Sequence, residues 1–102
     1  MELNSLTEKV KYLLFSAKNK TDDDDTLAIV KSLIKEHSDE RVLGKIFGYS
    51  VSDYAIASLK WMDTEKSIEL FNEEYGKLAD ERKEVISWLI ANNYHLEMWQ
   101  WF

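Results

Sequence analysis

Residues 55–90 read AIASLKWMDTEKSIELFNEEYGKLADERKEVISWLI, and this stretch decides the fold class. Its apolar residues recur every three or four positions, which is the spacing of one helix face and not the alternation of a strand. Asp63-Thr64 and Asp80 stand where polar residues favour a helix N-terminus, and Gly76 stands where a helix ends. The stretch therefore predicts the second half of one helix followed by two complete helices.

The chain contains no proline and only three glycines, so Ser, Thr, Asp and Asn mark the other helix starts. We expect helices from about Ser5 to Lys18, after Asp24, from Ser38 to Gly48, and from Ser50 or Ser52 onward. The last of these is expected to bury one side, formed by Tyr54, Ala55, Leu59 and Met62. The tail from Tyr94 to Phe102 adds a last turn or short helix, and no segment alternates well enough to predict a strand.

These elements predict an all-α protein of five to seven short helices in a single domain, residues 1–102. Two short motifs recur: Asp25-Thr26 recurs as Asp63-Thr64, and Asp39-Glu40-Arg41 recurs as Asp80-Glu81-Arg82. With this repetition, residues 55–90 resemble a repeat of the HEAT and armadillo class, which implies stacked antiparallel hairpins. An irregular helical bundle is the alternative that the same pattern allows.

The composition excludes several classes of protein. Without cysteine, the chain forms neither disulfides nor thiolate metal sites, and a cytoplasmic location is expected. Its first residues are polar where a secretory signal needs an apolar run, and no segment has the length of a membrane span. The 19 acidic and 13 basic residues give a net charge of -6, which repels phosphate backbones. The expected partner is therefore a basic protein, not nucleic acid or a membrane.

Two predicted helices carry acidic rows to which we assign partner binding. The first row is Glu65, Glu69 and Glu73, and the second is Asp80, Glu84 and Trp88. Like charges four residues apart repel by a few tenths of a kcal/mol per pair, and a cationic partner removes that cost. An aromatic ring beside carboxylates is typical of a surface that binds arginine. The alternative interpretation of both rows is an ordinary solvated helix face.

A secondary acidic patch is formed by the run Asp22, Asp23, Asp24 and Asp25. The run begins like a calcium-binding loop, but Leu27 and Leu33 occupy the positions of the required glycine and glutamate. We therefore expect no metal site here. Helix capping and electrostatic attraction of a partner are the expected roles of these carboxylates.

Residues Arg41 to Met62 carry the main alternative, because they resemble a helix-turn-helix with Gly48 in the turn. That resemblance implies DNA binding. It belongs to a second functional class, a phage or host regulatory protein, which also includes inhibitors of a nuclease. The second helix of the motif offers Lys60 as its only base, whereas phosphate contacts normally require several Lys or Arg residues. The residues therefore favour a basic protein partner over DNA.

Neither catalytic residues nor a cofactor are predicted. His37 and His95 are the only histidines, and neither lies in a recognisable signature with a nucleophile. The aromatic tail contains Trp99, Trp101 and Phe102, which either close one end of the core or form a protein-binding patch.

In size, acidity, helical character and lack of catalytic groups, the whole chain resembles bacterial immunity proteins of contact-dependent or polymorphic toxin systems. The resemblance implies a cognate basic toxin as partner, most readily a nuclease, whose electropositive active site an acidic surface can fill. It rests on general character, so no family residue is carried over to this chain. A scaffold or oligomerisation module is a third possibility, and the sequence leaves the oligomeric state open.

Overall fold

Five α-helices make up most of the chain that the structure, a computed structural model, describes. They are α1 (Leu6–Lys18), α2 (Asp24–Glu36), α3 (Val51–Met62), α4 (Glu65–Gly76) and α5 (Asp80–Ala91), followed by a C-terminal 3₁₀ helix (Asn93–Trp101). The described residues are 5–36, 45–46 and 49–101, without the side chains at positions 36, 45, 46, 93, 98, 99 and 101. The predicted all-α class is confirmed.

Local hydrogen bonds start three of these helices where the sequence predicts. The Ser5 hydroxyl accepts a hydrogen bond from the backbone N–H of Glu8 at 3.1 Å, which caps α1. Ser50 and Asp53 cap α3 reciprocally, since each side chain accepts a hydrogen bond from the other residue's backbone N–H. Thr64 and Ser67 cap α4 in the same reciprocal way. These bonds satisfy N–H groups that the first turn of a helix otherwise leaves unpaired.

The structure contradicts one predicted helix. Lys45–Ile46 (β1) and Tyr49–Ser50 (β2) form an antiparallel pair, with Lys45 opposite Ser50 and Ile46 opposite Tyr49. The helix predicted from Ser38 to Gly48 is therefore wrong at these two residues, and so is the expectation of no strand. Short apolar runs rich in β-branched and aromatic residues suit either structure, and here the strand prevails.

The same pairing affects the helix-turn-helix prediction for residues 41–62. Its first helix includes Lys45–Ile46, where the backbone is extended, so the motif is wrong at that point. The other residues of the predicted third helix, the preceding His37, and the motif Asp39-Glu40-Arg41 lie outside the described residues.

Helix α3 lies at the centre of the protein. It contacts α1, α2, α4, α5 and β2, and the outer α-helices contact α3 more extensively than they contact one another. All residues from Val51 to Leu59 are buried, including Ile56 and Ala57, which lie outside the predicted buried side. A helix enclosed in this way must be apolar around most of its circumference. Of the two predicted architectures, these contacts match the irregular bundle and not stacked hairpins.

The recurring Asp-Thr motif does not mark a structural repeat. Asp25-Thr26 lies inside the first turn of α2, whereas Asp63-Thr64 joins α3 to α4, with Thr64 as the N-cap. The two dipeptides therefore have different roles, and the internal repetition predicted from them is wrong at this pair. Among the described residues, one core cluster instead joins buried side chains from all five α-helices.

Candidate functional site

A groove of about 280 Å³ opens between the first turns of α2 and the outer side of α4. It is lined by Asp24, Leu27, Lys66, Glu69, Leu70 and Glu73. We call this the α2–α4 groove. It brings one residue of the secondary acidic patch together with two residues of the first acidic row, although the sequence separates them widely.

The α2–α4 groove has an apolar floor and acidic edges. Leu27 and Leu70 are partly buried and pack against the hydrophobic core, which fixes their positions. Glu69 and Glu73 are exposed and stand one turn apart on α4, while Asp24 is exposed at the start of α2. Apolar surface bordered by three carboxylates and one lysine favours a partner segment that combines aliphatic and cationic groups.

Two lysines of the chain partly neutralise these carboxylates. Lys66 Nζ lies 3.4 Å from Asp24 Oδ1 across the groove, and Lys77 Nζ lies 3.8 Å from Glu73 Oε1 along α4. Exposed pairs of this kind contribute about 0–1 kcal/mol, so a cation from a partner can replace either lysine. Lys66 is the one basic residue against three acids in the groove lining, which leaves the groove net negative.

The rest of the predicted partner-binding set lies elsewhere. Glu65 is exposed on α4 but does not line the groove. The Tyr75 hydroxyl donates to the Lys83 carbonyl at 3.2 Å, so the Tyr75 side of α4 faces α5. Because residues 73 and 75 differ by about 200° around a helix, the groove and α5 lie on opposite sides of α4. The second row, formed by Asp80, Glu84 and Trp88, is exposed on α5. It is therefore separate from the groove.

The secondary acidic patch divides into two roles. The Asp23 carboxylate accepts hydrogen bonds from the Thr26 N–H at 3.2 Å and from the Thr26 hydroxyl at 2.7 Å, which caps α2. These bonds hold the pKa of Asp23 below its ordinary value. The predicted capping role is thereby confirmed for Asp23. Asp24 is the member that lines the groove, and Asp22 and Asp25 do not.

An aromatic cluster, which the sequence did not reveal, links the C-terminal 3₁₀ helix to α3. His95 is 2% exposed, and its Nδ1 atom lies 3.2 Å from the Tyr54 hydroxyl, with the Tyr49 ring in edge contact with both. An ion pair between Lys18 and Glu97 attaches the same helix to α1. The side chains of Trp99, Trp101 and Phe102 lie outside the described residues, so the roles predicted for the aromatic tail stay predictions.

We expect this cluster to make the protein less stable as the pH falls below about 6.5. Burial lowers the pKa of His95 from its ordinary 6.5, whereas the unfolded chain keeps the ordinary value. Between the two pKa values the unfolded state binds more protons, so acidification favours unfolding. Urea unfolding at pH 7.5 and at pH 5.5, followed by circular dichroism, measures the difference.

His95→Gln is the informative variant, because glutamine keeps a hydrogen-bonding group but does not titrate. The loss of stability between these pH values should shrink in His95→Gln and persist in His37→Gln, the matched control. An equal loss in His95→Gln and in the wild type contradicts the assignment to His95.

Among the described residues, no three His, Asp or Glu side chains are placed to hold one metal ion together. No described helix combines the length and the apolar content needed to cross a bilayer. Comparison of the chain with protein families, with curated proteins and with solved structures found no match. The candidate site therefore rests on the geometry of the chain itself.

Proposed function

We propose that this protein binds a basic protein through the α2–α4 groove and thereby neutralises a toxin, in the first place a nuclease. The observation that carries the proposal is the convergence of Asp24, Glu69 and Glu73 around the apolar floor formed by Leu27 and Leu70. A second observation supports it, since the net charge of -6 attracts a basic surface over the whole molecule.

A nuclease is the partner that this charge distribution fits best. Its active site must attract phosphate groups and is therefore electropositive, so an acidic protein can cover it and exclude the substrate. The net charge accelerates the encounter, and the groove provides short-range contacts that slow dissociation. Binding of this kind needs no catalytic group on the inhibitor.

Co-expression with the protein encoded by the adjacent gene tests the proposal directly. We expect a complex that survives purification at moderate salt and a loss of nuclease activity in the bound partner. A partner that separates at moderate salt, or stays fully active when bound, contradicts the proposed function.

Glu69→Lys tests whether the groove is the binding site. The substitution places a cation where the partner's cation is expected, so affinity should fall about tenfold or more, mainly through faster dissociation. Glu65→Lys is the matched control, because it makes the same charge change one turn away on the same helix and outside the groove. Surface plasmon resonance at two salt concentrations measures both rates.

The control is expected to change mainly the association rate, and that change should diminish as salt rises. If both variants alter binding equally, the contribution is long-range charge alone and the groove is not the site. The experiment thus separates the location of the site from the general preference for a basic partner.

A further inference from the structure

The outward side of α5 presents a second surface that the groove does not include. Glu81, Glu84, Val85 and Trp88 occupy positions i, i+3, i+4 and i+7, so they share one helix face. Trp88 is 62% exposed and Val85 is 38% exposed, whereas Ile86 and Leu89 of the same helix are buried in the core. We call this the α5 outer face.

The Trp88 ring differs from the rings of Phe71 and Tyr75 on α4. Lys60 Nζ lies 5.5 Å from the centre of the Phe71 ring, and Lys83 Nζ lies 5.7 Å from the centre of the Tyr75 ring. No described lysine or arginine lies over the Trp88 ring, although indole is the aromatic group that binds cations best. Its face is thus open to a cation from another molecule.

The charges around Trp88 determine which occupant fits. Glu84 stands one turn before Trp88, Glu81 stands two turns before it, and Asp80 is also exposed on the same helix. A second copy of the chain packed symmetrically on this face brings these carboxylates towards their own equivalents, which repel. A basic segment finds complementary charge on the same surface.

We propose that the α5 outer face binds an arginine-bearing segment of a basic polypeptide. The guanidinium lies on the Trp88 ring and pairs with the Glu84 carboxylate, while the aliphatic part of the arginine side chain covers Val85. Arginine suits this place better than lysine, because its planar group stacks on an aromatic ring and still donates in-plane hydrogen bonds. This surface is separate from the α2–α4 groove and does not depend on the function proposed for it.

A synthetic nine-residue peptide with three arginines is the probe, and a peptide with citrulline at those positions is its neutral counterpart. Titration of the full chain, followed by NMR, should shift the Trp88 indole N–H signal with the arginine peptide and not with the citrulline peptide. Trp88→Ala should weaken binding of the arginine peptide about fivefold or more. Glu84→Gln should weaken binding of the arginine peptide less than Trp88→Ala does. The effect of Glu84→Gln should be larger at low salt than at high salt.

Tyr94→Ala is the matched control, because Tyr94 is also 62% exposed but lies beyond α5. It should leave binding of the peptide unchanged. Circular dichroism of each variant verifies that the fold is intact, as expected for substitutions of exposed residues.

Three results overturn the proposal. The first is unchanged peptide binding in Trp88→Ala, and the second is a set of NMR shifts confined to Leu27 and Leu70 in the groove. The third is a concentration-dependent dimer in light scattering that Trp88→Ala abolishes, since the occupant is then a second copy. None of these results bears on the toxin complex, which is measured separately with the Glu69→Lys variant.

Discussion

Asp53→Ala is expected to lower the free energy of unfolding by about 3–5 kcal/mol. The Asp53 carboxylate lies in the first turn of the central helix, is 7% exposed, and accepts a hydrogen bond from Arg82 Nη2 at 2.5 Å. It also accepts the Ser50 N–H, so one substitution removes an ion pair and half of a reciprocal cap. Arg82 is 35% exposed, and its Nε atom has no hydrogen-bond partner among the described residues. The variant therefore leaves a partly buried cation without its carboxylate.

Urea unfolding of Asp53→Ala is best compared with that of Asp23→Ala. Asp23 also caps a helix, but its side chain is exposed and forms no ion pair among the described residues, so its loss should cost about 1 kcal/mol. The difference between the two variants reports the pair with Arg82 together with the burial of the Asp53 cap. Adding Arg82→Met to Asp53→Ala should restore part of the stability, because the unpaired cation is then absent. Equal costs for the two aspartate variants contradict a stabilising ion pair.

Ile56→Ala is expected to cost about 2–5 kcal/mol, the range for a large aliphatic side chain removed from a packed core. Ile56 is fully buried although it lies outside the side of α3 that the sequence predicts to be buried. The cost thus reports directly that α3 is enclosed by other helices. Thermal and urea unfolding, both followed by circular dichroism, measure it.

Val85→Ala is the control for this prediction, since it removes a β-branched aliphatic side chain from an exposed helix position. Its cost should stay below about 1 kcal/mol. Ala57→Leu provides a second measurement, because a larger side chain has no room beside fully buried Ala57 and should cost about 1–3 kcal/mol. If Ile56→Ala and Val85→Ala cost the same, α3 is not the central helix.

The acidic members of the candidate site were predictable from the sequence, but neither their grouping nor the apolar floor beneath them was. The row of Glu65, Glu69 and Glu73 follows from helical spacing alone, because neighbours one turn apart share a face whatever the rest of the chain does. The separation of Glu65 from the other two depends on where α2 lies beside α4. That position is set by the packing of both helices on α3, which no local pattern encodes.

The sequence by itself determined the all-α class and the starts of α1 and α4, and it narrowed the start of α3 to Ser50 or Ser52. It could do so because the capping bonds at Ser5, Ser50 and Thr64 join residues three positions apart. Only the tertiary structure decided that α3 is enclosed on every side, that Lys45–Ile46 is extended, and that Asp24 meets Glu69 at one groove. Each of these depends on contacts between residues distant in the chain. Helical periodicity reveals which side of a helix is apolar, but the number of helices that cover it is a property of the whole packed bundle.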